Sequence, residues 1–286
     1  GIGAILLTRA GVEESKDPNP RKIDYPGQVT LAGGLFLLVL ALLRGNEQGW
    51  TSAPIVAELT GAAVLLAAFV LIQSRVREPM LPLGLFRNKD FSGAQIAAFA
   101  ISASLFAVFI YITLYLQQIL GMSAVEAGLV FIPGTMFNLI VAGMTANLLD
   151  KVSPRLLISV GLVLVAAGQA MMAVAVAPDA HWSVLLPGFI VAMIGTGMFN
   201  PAVSNVALSS APQEQSGLAA GVNDTFRQAG IAVGVAALAA LDAAEAALGG
   251  GSASEYVDGL SSALLAGAGL AAIGAVAAAV LIGRRT

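Results

Sequence analysis

Residues 221–230 read "GVNDTFRQAG" and interrupt a run that is otherwise apolar and rich in small residues. Asn223, Asp224, Arg227 and Gln228 fall there within about two helical turns. An arginine at the centre of a membrane helix costs about 2.5–3.5 kcal/mol on insertion scales, and an aspartate about as much. Either the stretch stands outside the membrane, or its charges have a partner and a role. The rest of the chain decides which.

Of the 286 residues, 57% are hydrophobic and 11% are charged, with a mean hydropathy of +0.85. A soluble domain carries about 25% charged residues, so this chain has too little polar surface to cover itself in water. Lipid is the solvent that such a composition fits. The net charge of −3, with no basic tract, points away from nucleic acid. The absence of cysteine excludes disulfides and thiolate metal sites. The first residues, "GIGAILL", are a short apolar run. They read as the end of an upstream helix, so the chain is expected to be the C-terminal part of a longer protein.

Apolar runs of about 20 residues cross a hydrocarbon core of about 30 Å. Eight follow the initial stub, at about 25–44, 54–74, 91–118, 124–149, 155–177, 183–206, 217–247 and 259–282. Turn-forming links such as "KDPNPRKIDYPG", "DKVSPR" and "GGGSASEYVDG" separate them. An all-α integral membrane protein is therefore expected. Lysine and arginine placement sets its orientation. Arg9, Lys16, Arg21 and Lys22, then Arg75, Arg77, Arg87 and Lys89, then Lys151 and Arg155, then Arg284 and Arg285 all fall on one side. Of the 14 basic residues only Arg44, on the opposite side, and Arg227, inside a span, depart from this. Both chain ends are expected in the cytoplasm.

Helices that line a wet cavity need a polar face. The third span carries Gln95, Ser102, Phe106, Thr113 and Gln117 at spacings of seven and four. The fourth has Thr135, Asn138 and Thr145, and the sixth has Thr196, Asn200 and Ser204. The seventh holds the opening stretch. The fifth and eighth are bland, and so are the first two apart from Glu58. Among the last six spans this is a three-plus-three repeat of polarity, the pattern of nested inverted repeats around a cavity. Each stripe taken singly also fits helix–helix glue.

Three stretches carry a family resemblance: "REPMLPLGLFRNKDF" at 77–91, "YLQQILGMSAVEAGLVFIPG" at 115–134 and "QSGLAAGVNDTFRQAGIAVGVA" at 215–236. With them the chain resembles the C-terminal portion of a major facilitator superfamily transporter of the fourteen-helix drug:proton antiporter kind. "LLDKVSPR" at 148–155 resembles the second copy of that superfamily's loop motif, with Ser153 where glycine is usual. The resemblance implies that residues 1–24 end one helix and form a loop. Residues 25–86 would be an extra helix pair between bundles, and 87–286 the C-terminal six-helix bundle. It further implies proton-coupled efflux of small hydrophobic compounds across the plasma (inner) membrane, with an N-terminal bundle and its coupling acid outside this chain. No cofactor, no metal and no enzyme activity are expected.

The candidate cavity residues are Gln95, Phe106, Thr113, Asn138, Asn200, Asp224, Arg227 and Gln228. Asp224 and Arg227, three apart, can pair and lower each other's burial cost. Asp150 and Arg155 form a candidate cytoplasmic gate, or alternatively an ordinary loop pair. Tyr111 and Tyr115 fit either an interfacial belt or a stacking site for a flat cation. His181 reads as a surface residue, and Asp242 and Glu245 as interfacial or as an outer relay. Gly217/Gly221 and Gly230/Gly234 fit close helix packing. A membrane enzyme is the competing class, but no H-E-x-x-H, G-x-S-x-G or G-x-x-x-x-G-K-[ST] motif is present. A channel would need a ring of charges or a carbonyl filter, and no filter-like loop appears.

Overall fold

A computed structural model describes residues 23–238 and 252–283. Eight long helices account for most of them: α1 (Tyr25–Gln48), α2 (Ala53–Arg75), α3 (Lys89–Ile119), α4 (Ala124–Leu148), α5 (Pro154–Ala175), α6 (Leu186–Ser209), α7 (Ser216–Leu238) and α8 (Ala253–Leu281). There is no strand among the described residues. Over the described residues, all of these helices except α7 are long and apolar enough to cross a membrane. The four polar residues of the opening stretch set α7 apart. The initial stub, residues 1–7, and the outer acids Asp242 and Glu245 lie outside the described residues.

Helix starts follow local chemistry. Ser123 and Ser252 cap α4 and α8 in reciprocal capping boxes with Glu126 and Glu255. The second box starts α8 at Ala253, six residues before the expected 259, because Ser252-Ala-Ser-Glu255 closes the first turn that the apolar count ignored. α4 steps at Phe131 and resumes at Ile132 with proline in its first turn, where the missing N–H costs nothing. Pro201 lies inside α6, which continues to Ser209.

Packing without a hydrophobic driving force depends on close approach. At the α5–α6 seam two glycine pairs face each other. A Cβ on Gly161 would meet the Gly195 carbonyl oxygen at 2.6 Å, and one on Gly188 would meet that of Gly168 at 2.6 Å. α3 is the most enclosed span, and Ile101, Leu105, Ile158, Leu162, Phe199 and Tyr256 are fully buried in the core shared by α3, α5, α6 and α8. α4 instead packs mainly on α6 and exposes Met136, Phe137, Leu139, Ile140 and Met144.

The helix ends alternate as antiparallel spans require. Asp90, Asp150, Pro154, Asn205 and Gly283, from α3, α4, α5, α6 and α8, share one cavity of about 310 Å³. Asp90 also accepts the Gly283 N–H at 2.7 Å, tying the start of α3 to the end of α8.

α1 and α2 pack on each other and are clasped at both ends. At the far end Arg44, the exception in the basic pattern, donates to Glu58 at 2.5 Å. At the near end Asp24 accepts from the Gly27 N–H (2.9 Å) and from the Gln73 amide (2.6 Å), and Gln73 in turn accepts the Leu81 N–H (2.9 Å). Burial opposes charge on Asp24, but the bonds from Gln73, Gly27 and Met80 outweigh it and hold the carboxyl below its ordinary value of 3.8.

Candidate functional site

α7 runs beside α3 in the same direction. Ala219 and Val222 pack with Phe91, Asn223 bonds Gln95, and the Tyr111 hydroxyl reaches the Val235 carbonyl at 3.0 Å. The two helices touch closely along one seam. A Cβ on Gly230 would lie 2.6 Å from the Phe99 carbonyl oxygen, and one on Gly234 would strike the Ala103 backbone. This glycine pair is a packing device, as expected. Gly217 and Gly221 are not, since a Cβ on either meets nothing within 4 Å. They face open space on the other side of α7.

α3 does not keep a single pitch. It widens into π-turns at Ser102–Phe106 and Tyr115–Ile119. Each adds a residue to a turn, so a stripe drawn at 3.6-residue spacing shifts in phase by about 100°. Gln95 and Ser102 are consequently buried at 1% and 0%, whereas Phe106, Thr113 and Gln117 are half-buried.

The first π-turn brings Phe106 beneath Arg227, whose Cζ stands 5.8 Å from the ring centroid. The guanidinium donates from Nη1 to Asn200 Oδ1 of α6 at 3.1 Å. One turn earlier, Asn223 Nδ2 donates to Gln95 Oε1 at 3.1 Å, with both side chains buried. Three helices thus meet through two polar ties. Asp224 is exposed and makes no ion pair with Arg227 in this structure. The arginine is held by an amide and a ring, and the aspartate acts on it only through space. The reason is geometric: Asn200 and Phe106 lie on the packed side of α7, while Asp224 points along the open side.

That open side is a groove of about 340 Å³ between α6 and α7, lined by Ser204, Ala207, Ala220, Asn223, Asp224 and Arg227. A guanidinium has five N–H donors and no acceptor, and one is committed to Asn200. The others can meet water or an anionic group in the groove, with a carboxylate one turn away. This arrangement suits binding and charge exchange. No nucleophile–base pair accompanies it, and no group of potential metal ligands occurs among the described residues.

A family model described as Major Facilitator Superfamily matches residues 4–235. The chain belongs to the major facilitator superfamily. It is 31% identical over 245 residues to the tetracenomycin C resistance and export protein of Streptomyces glaucescens, covering 84% of this chain and 44% of that protein. It is 34% identical over 241 residues to the puromycin resistance protein of Streptomyces alboniger, covering 83% and 47% respectively. A multidrug resistance protein of Mycobacterium tuberculosis is 28% identical over 244 residues, covering 85% and 45%. The chain thus spans less than half the length of these curated relatives. It is a multi-pass membrane protein, and the competing reading as a membrane enzyme falls away.

In this major facilitator chain the other singled-out residues are placed as follows. Thr113 donates to the Phe109 carbonyl of its own helix at 2.8 Å, and Asn138 ties α4 to α6 by donating to the Met193 carbonyl at 3.2 Å. Neither lines the α6–α7 groove. Gln228 is exposed on α7, beside Arg227 but outside that groove. Asp150 is exposed, Arg155 is half-buried, and no ion pair joins them. Tyr111 and Tyr115 are 3% and 0% exposed and fit neither a belt nor an accessible stacking site. Their hydroxyls reach the Val235 and Ala177 carbonyls, because at this depth protein backbone is the available acceptor. His181 is exposed beside Trp182, as expected. The Gln95–Asn223 bond was not foreseen as a pair. Both residues stood out as amides in apolar spans, but only the alignment of α3 with α7 shows that they meet.

Proposed function

We propose that this chain is the C-terminal portion of a proton-coupled exporter of small hydrophobic compounds. It acts as a transporter and catalyses no bond-making step. The proposal places it in the plasma (inner) membrane with both of its own ends in the cytoplasm, in keeping with the one-sided distribution of lysine and arginine. The printed names of the relatives, for resistance and export, support the activity. Their greater length supports a facing N-terminal bundle that completes the cavity. In this division residues 25–86 are an added helix pair and 87–286 the C-terminal bundle.

The observation that carries the reading is Arg227, held by Asn200 and Phe106 at the edge of the α6–α7 groove. Fixing a cation within a membrane helix is costly, so it is retained where it meets a charge that comes and goes. In the proposed cycle Arg227 faces an anionic substrate group or a carboxylate of the facing bundle, and Asp224 offsets its charge when the groove is empty. Asp150 and Arg155, open here, pair as a cytoplasmic gate in another state of the cycle.

The test uses the full-length protein in cells loaded with a panel of dyes and antibiotics. Arg227→Ala is expected to abolish efflux while membrane abundance stays near that of the parent, and a protonophore is expected to stop efflux by the parent. Loss of folded protein in step with loss of transport makes Arg227 structural instead. Full activity in Arg227→Lys removes the need for a planar guanidinium.

A further inference from the structure

α7 divides two grooves of opposite character. On the side away from Arg227, a cavity of about 420 Å³ lies between α1, α2, α3 and α7. Its walls are apolar, with Leu31 and Leu35 of α1, Phe69 of α2, Phe99 of α3, and Val222 and Phe226 of α7. Thr225 is the one hydroxyl in the lining, and it already donates to the Gly221 carbonyl at 2.8 Å. Nothing there asks for water. Gly217 and Gly221 form part of the wall, and a Cβ on either would meet no atom within 4 Å. The space is therefore kept open by residues without side chains.

Depth and nearby charge both bear on what fills it. The lining along α7 runs from Gly217 to Ala229, about 18 Å at 1.5 Å per residue. That is close to half of a hydrocarbon core of about 30 Å, the depth of one leaflet. Close to the same end of the molecule as Gly217 lie the exposed cations Arg75 and Arg77 at the foot of α2 and Arg87 and Lys89 at the start of α3. An apolar slot one leaflet deep, with four exposed basic side chains and a single exposed acid, Glu78, in the 75–89 link that supplies Met80 and Leu81 to its wall, matches an acyl chain carried by an anionic headgroup.

We infer that the groove between the α1–α2 pair and α7 is a binding site for one acyl chain of an anionic membrane lipid, with its headgroup among Arg75, Arg77, Arg87 and Lys89. The lipid then packs α7 from behind, opposite the face that holds Arg227. α1 also packs on α7 directly, and the lipid adds to that contact where Gly217 and Gly221 leave space.

The experiment reconstitutes the full-length protein in phosphatidylcholine vesicles containing phosphatidylglycerol with a photoactivatable acyl chain, and maps the crosslinked peptides. Label is expected to concentrate on the α1 and α7 segments that line the groove, and to be several-fold weaker when the photoactivatable chain is on phosphatidylcholine. Gly221→Phe, which fills the groove, is expected to cut that label roughly fivefold or more because an overpacked site is costly to enter. Gly217→Phe is the second filling variant. Gly269→Phe, on the exposed face of α8 where a Cβ also meets nothing, is the control and is expected to change nothing. Groove labelling no stronger than that of the α8 face overturns the inference, as does labelling unchanged by either filling variant. Displacement of the label by a transported dye, with no dependence on headgroup, overturns it in favour of a substrate site. Absence of groove label overturns it in favour of protein cover.

Discussion

Two glycines on α7, nine residues apart, are expected to respond oppositely to the same added methyl group. At Gly221 a Cβ meets nothing within 4 Å, so Gly221→Ala only replaces a poor helix former with the best one. That substitution gains up to about 1 kcal/mol in a helix interior. At Gly230 the Cβ lies 2.6 Å from the Phe99 carbonyl oxygen and 3.0 Å from the Ser102 Cβ, against an ordinary contact of 3.4–4 Å. α7 would have to retreat by about 0.8 Å from backbone just ahead of the first π-turn of α3, which has no side-chain freedom to yield. Overpacking of this kind costs about 1–3 kcal/mol, more than the helix-propensity gain. Retreat also stretches the Asn223–Gln95 bond, which is already at 3.1 Å. Gly221→Ala is therefore expected to hold or raise the thermal midpoint of the purified full-length protein in detergent, and Gly230→Ala to lower it. The difference between the two variants corresponds to roughly 1–3 kcal/mol. Equal midpoints would refute the α3–α7 seam as described, and a reversed order would show that α7 is rotated about its axis.

Gln95→Leu and Asn223→Leu are each expected to destabilise by about 1–3 kcal/mol, since each leaves the other's buried amide without its partner. The double variant should lose less than the two together, as a thermal-shift double-mutant cycle can measure. At the α1–α2 clasp, Asp24 has a folded-state pKa below its ordinary value, so its contribution is present above about pH 4 and fades as pH falls through the lower, folded value. Asp24→Asn should lower the thermal midpoint at pH 7 and flatten its decline in acid. A parent and variant with parallel pH profiles would place the acid sensitivity elsewhere.

The helical membrane architecture was legible because span length and apolarity are properties of local composition. The polar identity of α7 was legible for the same reason: an Asn-Asp-x-x-Arg-Gln cluster in an apolar run stands out without any partner in view. Partners were not legible. Arg227 looked nearest to Asp224 because three residues separate them in sequence, yet its hydrogen bond crosses to Asn200 on α6. Gln95 and Asn223 are 128 residues apart, and only the side-by-side run of α3 and α7 joins them. The stripe on α3 was drawn at constant pitch, and its π-turns broke it. The early start of α8 was a different kind of miss. Ser252-Ala-Ser-Glu255 is a capping box visible in the sequence, overlooked because the glycine run before it read as a link.

The charges in "GVNDTFRQAG" are tolerated because none of them is required to face lipid. Arg227 is half-buried against Phe106 and Asn200, Asn223 is buried on Gln95, and Asp224 opens into the α6–α7 groove. The opposite face of the same helix carries Gly217, Gly221, Val222 and Phe226 toward a space without polar demand. At a given depth, an ion is penalised less where polar groups of the protein surround it than where it faces lipid. One helix can therefore hold an arginine about 15 Å along its length from Gly217 while its other side is as apolar as any lipid-facing span. The consequence is mechanical as well as electrostatic. A shift of α7 that widens the polar groove carries the helix into the apolar one, so the packing behind α7 limits how far such a shift can take Arg227.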